Sequence, residues 1–144
     1  MAWSMSFDYD AQHDVVTANF TDCVLANDAD VMRWRREVEE HLSKYPGKVD
    51  LLINLDGLVV KFTAGRVFGK ERREVLERYT HRSYRFGGDE MTRMFVLTSG
   101  AINGAAVNHY STRDEALAAL QAEREALRKR GFSPFGGGFV GSKA

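Results

Sequence analysis

The chain has 144 residues, enough for one compact domain with a core that is stable alone. It is 44% hydrophobic and 28% charged, an ordinary globular composition, and twenty acidic residues cancel twenty basic ones. The balance argues against a whole-surface nucleic-acid or membrane binder, and the single Cys23 rules out an internal disulfide.

The N-terminal ten residues lack the apolar core of a signal peptide. No apolar run approaches the roughly 20 residues of a membrane span, so a soluble cytoplasmic protein is expected. Trp3, Met5, Phe7 and Tyr9 alternate with Ser4, Ser6 and Asp8, which predicts a strand. Residues 10–14 read as a turn and 15–20, rich in β-branched and aromatic residues, as the second strand of a hairpin. Asn27, Asp28 and Asp30 are candidate caps for a helix in which Val31, Trp34, Val38, Leu42 and Tyr45 share one face. Pro46-Gly47 stops it.

Residues 49–55 are dense in Val, Leu and Ile, as in a strand covered on both faces. A second long helix is predicted over 64–84, with Val67, Phe68, Val75, Leu76 and Tyr79 as its apolar stripe and Gly87-Gly88 as its end. Its charged face, with Lys70, Arg72, Arg73 and Arg78 against Glu71, Glu74 and Glu77, reads as solvated and held by pairs such as Glu74–Arg78. It is not assigned to nucleic acid, because exposed aromatics do not interleave it. Residues 94–97 and 105–110 are predicted strands. Ser111-Thr112-Arg113-Asp114 resembles a capping box that opens a last helix through Leu117, Leu120 and Leu127. The Gly-rich tail, 131–144, is expected to be flexible, leaving one domain over 1–130. The predicted order is β-β-α-β-α-β-β-α, a mixed β-sheet with helices packed on it, and the class is α/β.

Thr63-Ala64-Gly65 falls where the central strand hands over to the second long helix. Ligand and partner sites gather at such strand ends. Thr63 is a plausible N-cap, and Gly65 permits a close approach or a sharp turn. "INLDGLVVKFTAGRVFGKERRE", residues 53–74, resembles the signature of the STAS domain, the module of anti-sigma-factor antagonists and sulfate-transporter tails. Asn54-Leu55 falls on that family's Asn/Asp-Leu step, Leu58-Val59-Val60 on its second apolar stretch, Thr63 on its phosphorylated serine and Gly65 on its glycine. The hairpin, the first helix and "HYSTRDEALAAL" fit the family's order over residues 3–130. Phe62 replaces the family's acidic residue, Ala64 its second serine and Arg66 its leucine. The helix usual between the last two strands is read as shortened to 99–104.

The resemblance implies a STAS-like mixed sheet and a non-catalytic regulatory or scaffold domain. Such a domain binds a protein partner of the regulatory-kinase or sigma-pathway kind. Its surface would comprise Asp56, Gly57, Thr63, Gly65, Arg66 and Lys70, with Thr63 as the candidate phospho-acceptor and no cofactor or metal. The alternative is a lipid or small-ligand module with an apolar pocket under the second helix, near Phe62 and Phe68.

A third reading comes from "YRFGGDEM", residues 84–91, which resembles the hairpin run of diguanylate cyclases and would pair Asp89 and Glu90 with Asp56 around Mg²⁺. The same run is also a good turn between helix and strand. His13, His41, His81 and His109 lack metal-ligand spacing and read as packing or surface residues. Cys23 reads as a small buried residue. Trp3 and Trp34 read as anchors, and an exposed Trp3 on an edge strand would point to a homodimer.

Overall fold

The computed structural model describes residues 3–103 and 108–130. The chain runs β1 (Ser4–Asp10), β2 (Val15–Thr21), β3 (Cys23–Leu25), α1 (Asp28–Leu42), β4 (Val49–Asn54), β5 (Leu58–Val60), α2 (Gly65–Tyr79), β6 (Thr80–Phe86), α3 (Glu90–Asn103), β7 (His109–Tyr110) and α4 (Arg113–Lys129). The main sheet has the order β1-β2-β4-β6-β7, and β3 and β5 form a second, two-stranded sheet. Only β1–β2 is antiparallel, while β2–β4, β4–β6 and β6–β7 are parallel. The class is the expected one, a mixed sheet with helices on it.

The hairpin forms because β1 alternates and Asp14 takes the left-handed conformation that its turn requires, at φ 53. Asn27 caps α1 by accepting from the Asp30 backbone N–H at 2.9 Å. Val31, Trp34, Val38 and Leu42 are its buried stripe. The helix ends at Leu42, one turn earlier than Tyr45, because Ser43 closes it with backbone bonds to Glu39 and His41. The central strand β4 supplies apolar residues to both faces of the sheet. Leu51 joins the core under α1, α2 and α3, with Trp34, Phe68 and Val96, while Leu52 joins the core under α4, with Leu117 and Leu120.

Four sequence expectations need correction. The second helix ends at Tyr79, and 80–84, read as its continuation, belong to the strand β6. Gly87 and Gly88, with φ +71 and +90, therefore end a strand instead of a helix. Residues 94–97, read as a strand, lie inside α3, a full 14-residue helix where a shortened one was expected. Of the predicted fifth strand, His109–Tyr110 forms a strand and Asn108 does not, while 104–107 lie outside the described residues, as does the tail. The predicted order thus lacks β3, β5, β6 and α3, and its strand over 94–97 is part of a helix.

The opening of α4 shifts by one residue. Thr112 is the cap, accepting from Glu115 N–H at 3.2 Å, while the Glu115 carboxylate accepts from Ser111 N–H at 3.1 Å. Trp3 is buried, with the Arg33 guanidinium 4.0 Å over its ring, so the exposed tryptophan that would have signalled a dimer is not present.

Candidate functional site

The strand ends β4 and β6 and the start of α2 meet at one end of the sheet. After β4, Leu55 N–H donates to Phe86 O at 2.9 Å, which extends the pairing with β6. Asp56 then accepts from Gly88 N–H at 2.8 Å, so its carboxylate ties the β4 exit to the β6 exit. Gly57, at φ +81, turns the chain into β5. A β-carbon there would lie 2.8 Å from the carbonyl carbon of Phe20, which only glycine avoids. Cys23 N–H donates to Gly57 O at 2.9 Å and starts the β3–β5 pairing.

The Thr-Ala-Gly step is a joint. Phe62–Ala64 forms a 3₁₀ turn that runs directly into α2. Thr63 is not the helix N-cap, as expected from sequence. Ala64 holds that position, and no side chain caps the helix. The Thr63 hydroxyl instead donates to Ala26 O, which links the joint to the loop between β3 and α1. Two amides at the helix start are taken up by the turn, Ala64 N–H by Lys61 O and Gly65 N–H by Phe62 O. Gly65 has ordinary helical dihedrals, so it serves close approach and not a sharp turn: the ring of Phe95 from α3 occupies the space of its missing side chain. Ala64 is buried beside it.

What remains exposed is Asp56, Gly57, Lys61, Phe62, Thr63, Arg66 and Lys70. Phe62, on the position of the family's acid, is 80% exposed. Lys70 lies 3.9 Å from both Glu71 and Glu74. Of the expected surface, the structure brings Asp56, Gly57, Thr63, Gly65 and Arg66 into consecutive turns of one junction, with Gly65 covered. Lys70 stands one turn further along α2.

Arg72, expected on the solvated face of α2, is buried. Arg82 belongs to β6 and pairs with Asp50 at 3.0 Å. Glu74 reaches Arg35 of α1 at 2.5 Å and not Arg78, whose guanidinium lies over the Tyr79 ring. Arg35 also meets buried Glu71 at 2.5 Å, so α1 and α2 are clasped by charge above their apolar contact.

The expected pocket beneath α2 is a cavity of about 30 Å³ lined by Trp34, Phe68, Val75 and Leu76 among others. Phe62 has no part in it. The volume is on the scale of water molecules, while organic ligands need several hundred cubic ångströms.

Gly87-Gly88-Asp89-Glu90 is not a hairpin, as the cyclase reading requires. It joins β6 to α3, where Asp89 caps by accepting from Thr92 N–H at 2.7 Å. Asp56 is likewise engaged with Gly88. Among the described residues no group of three or more His, Cys, Asp or Glu could hold a metal ion, and no helix is long and apolar enough to cross a membrane.

His13 contacts Asp10 at 2.7 Å, His41 stacks on Phe7 and His109 meets Gly87 O at 2.8 Å, all packing or surface roles. Cys23 is buried, and desolvation pushes its thiol pKa up.

Sequence reasoning missed the outer face of α3, where Met91, Met94 and Leu97 are exposed. Their spacing of three was the available signal.

No family model matches the chain, and no curated protein matches it. Several solved structures are similar to it, two of them of SpoIIAA. The structure of the Bacillus cell fate determinant SpoIIAA in the phosphorylated form is 14% identical, with 81% of this chain and 99% of that chain covered and a TM-score of 0.49. The structure of the anti-sigma factor antagonist SpoIIAA in its unphosphorylated form is 13% identical, with 90% and 99% covered and a TM-score of 0.45.

Proposed function

We propose that the chain is a non-catalytic regulatory or scaffold domain of STAS type that binds a protein partner in the cytoplasm through the junction of β4, the 3₁₀ turn and α2. The observation that carries this reading is Phe62, a large aromatic held 80% exposed on a rigid turn beside an exposed threonine. A lone exposed phenylalanine costs solubility, and aromatic anchors of this kind are enriched at interfaces. The resemblance of residues 53–74 to the STAS signature supports the same surface. Asp56 and Gly57 shape its floor, Gly65 lets α3 close behind it, and Arg66 and Lys70 supply charge.

Thr63 is the candidate switch. Phosphorylation removes the hydroxyl proton that bonds Ala26 O and adds about two negative charges next to Arg66 and Lys61. The joint between the β3–α1 loop and α2 is then loosened on one side and recharged on the other.

The test is affinity capture from the native host with wild type, Phe62→Asp and Thr63→Glu, together with mass spectrometry of the tryptic peptide that carries Thr63. One partner retained by wild type and lost with Phe62→Asp is the expected result. A partner set indifferent to both substitutions removes this surface. A peptide that is never phosphorylated removes the switch alone.

A further inference from the structure

The helix α3 departs from the amphipathic pattern of its neighbours. Its inner side is already packed, with Thr92 and Val96 buried and Phe95 against Gly65. Its outer side is apolar as well: Met91, Met94 and Leu97 are 46%, 51% and 55% exposed. At a spacing of three they form one continuous ridge. Its sequence, EMTRMFVLTSGAIN, has only Glu90 and Arg93 as charges, and Arg93 is turned back onto Gly88 O at 2.8 Å. A helix stretch with apolar residues on both sides belongs in an interior, and over 91–97 the outer side of this one lacks cover.

On the side of the 3₁₀ turn and the start of α2 the charges beside this ridge are basic, while Asp89 and Glu90 stand exposed at its N-terminal end. Lys61 and Arg66 are exposed, and neither side chain forms a hydrogen bond or ion pair among the described residues. α1, α3 and α4 each carry acids in their first turns, whereas α2 carries none there. The positive end of the α2 dipole therefore adds to Lys61 and Arg66 instead of being offset. Phe62 stands between these cations, and Phe95, whose ring lies on Gly65, puts α3 against the same turn.

Resting on the partner-binding reading above, we infer that the partner presents an amphipathic helix. Its apolar stripe lies along Met91, Met94 and Leu97, and its Asp or Glu flank faces Lys61 and Arg66. A ridge at helical spacing accepts a second helix ridge-into-groove. Methionines suit that seam because they repack at little cost. The acidic flank supplies the counter-charge that this chain does not supply itself.

The test uses two synthetic helical peptides with the same Leu seam, one flanked by Glu and one by Lys, titrated by fluorescence anisotropy onto the full chain. The Glu peptide is expected to bind roughly tenfold tighter at low salt, an advantage that shrinks at high salt. Met94→Asp abolishes binding of both peptides, and Lys61→Glu with Arg66→Glu removes only the preference. Leu97→Ser serves if Met94→Asp melts early.

Equal binding, or preference for the Lys peptide, overturns the acidic partner while leaving the docking face. Binding of neither peptide, or binding indifferent to Met94→Asp and Leu97→Ser, overturns the face on α3, and the capture experiment on Phe62 and Thr63 then decides the wider reading separately. A wild-type dimer in sedimentation that Met94→Asp dissociates assigns the face to a second copy and also overturns the proposal.

Discussion

Gly65 and Phe95 are fitted to one another: a β-carbon on residue 65 would lie 2.6 Å from Cδ1 of the Phe95 ring. This contact sets the position of α3 against α2, and with it the position of the exposed ridge. Gly65→Ala should destabilise the fold by about 1–3 kcal/mol through overpacking. Adding Phe95→Leu should restore part of the loss, and thermal denaturation of the two variants checks both. Equal losses in both would show that the ring is not what the methyl group meets.

Arg35 is the second fixed point. Replacing it with Met leaves the buried Glu71 carboxylate without its guanidinium, at a cost of about 3 kcal/mol, measurable as a shift in urea midpoint.

The same clasp carries a pH signature. The Arg35 hydrogen bond holds the Glu74 carboxyl below its usual range. A depressed folded pKa contributes stability that is present above the ordinary glutamate value of about 4.3 and lost as pH falls through the folded value. Wild type should therefore exceed Glu74→Gln in stability at pH 7, and the two should converge under acid. A constant gap across the titration would refute the assignment.

Arg85 is a buried cation that stays costly. It is fully buried, with Nη2 donating to Ser83 Oγ at 2.5 Å and Nη1 to Asn108 O at 3.3 Å, while Nε has no partner among the described residues. Burial first, and Arg72 second, lower its pKa to about 9. The sequence from 91 to 113 contains no acid to offset it. Arg85→Met should be neutral or stabilising by about 1–4 kcal/mol, read as a raised Tm. A fall of several degrees would show that the bonds to Ser83 and Asn108 outweigh the charge penalty.

Asp56→Ala removes the acceptor for Gly88 N–H and should cost about 1 kcal/mol. Loss of protection at the Gly88 amide in hydrogen exchange would locate the effect at the β4–β6 exit. Unchanged protection would show that another group satisfies it.

Periodicity made β1, α1 and α4 legible, and β-branched and aromatic content made β2 so. The first three each have a more covered and a more open face, so the residue pattern repeats with the geometry, while β2 is covered on both faces. The failures share a cause. β6 carries Arg82 and Arg85, which find Asp50 and Asn108 only once the sheet is assembled, so the segment looked like more charged helix. α3 is apolar on both sides, and a short apolar run does not distinguish strand from helix. The candidate surface was legible where the motif lay, at Thr63 and Gly65. The ridge on α3 was not, because its exposure belongs to the packing.

The order of residues by itself determined an α/β domain, its apolar central strands and the unusual small-residue step after β5, because these follow from local spacing and side-chain type. Assembly decided that the Thr63 hydroxyl turns to Ala26 instead of capping, that Gly65 makes room for Phe95, and that Met91, Met94 and Leu97 face solvent. Those outcomes depend on which distant segment fills a given space, and no local pattern carries that information.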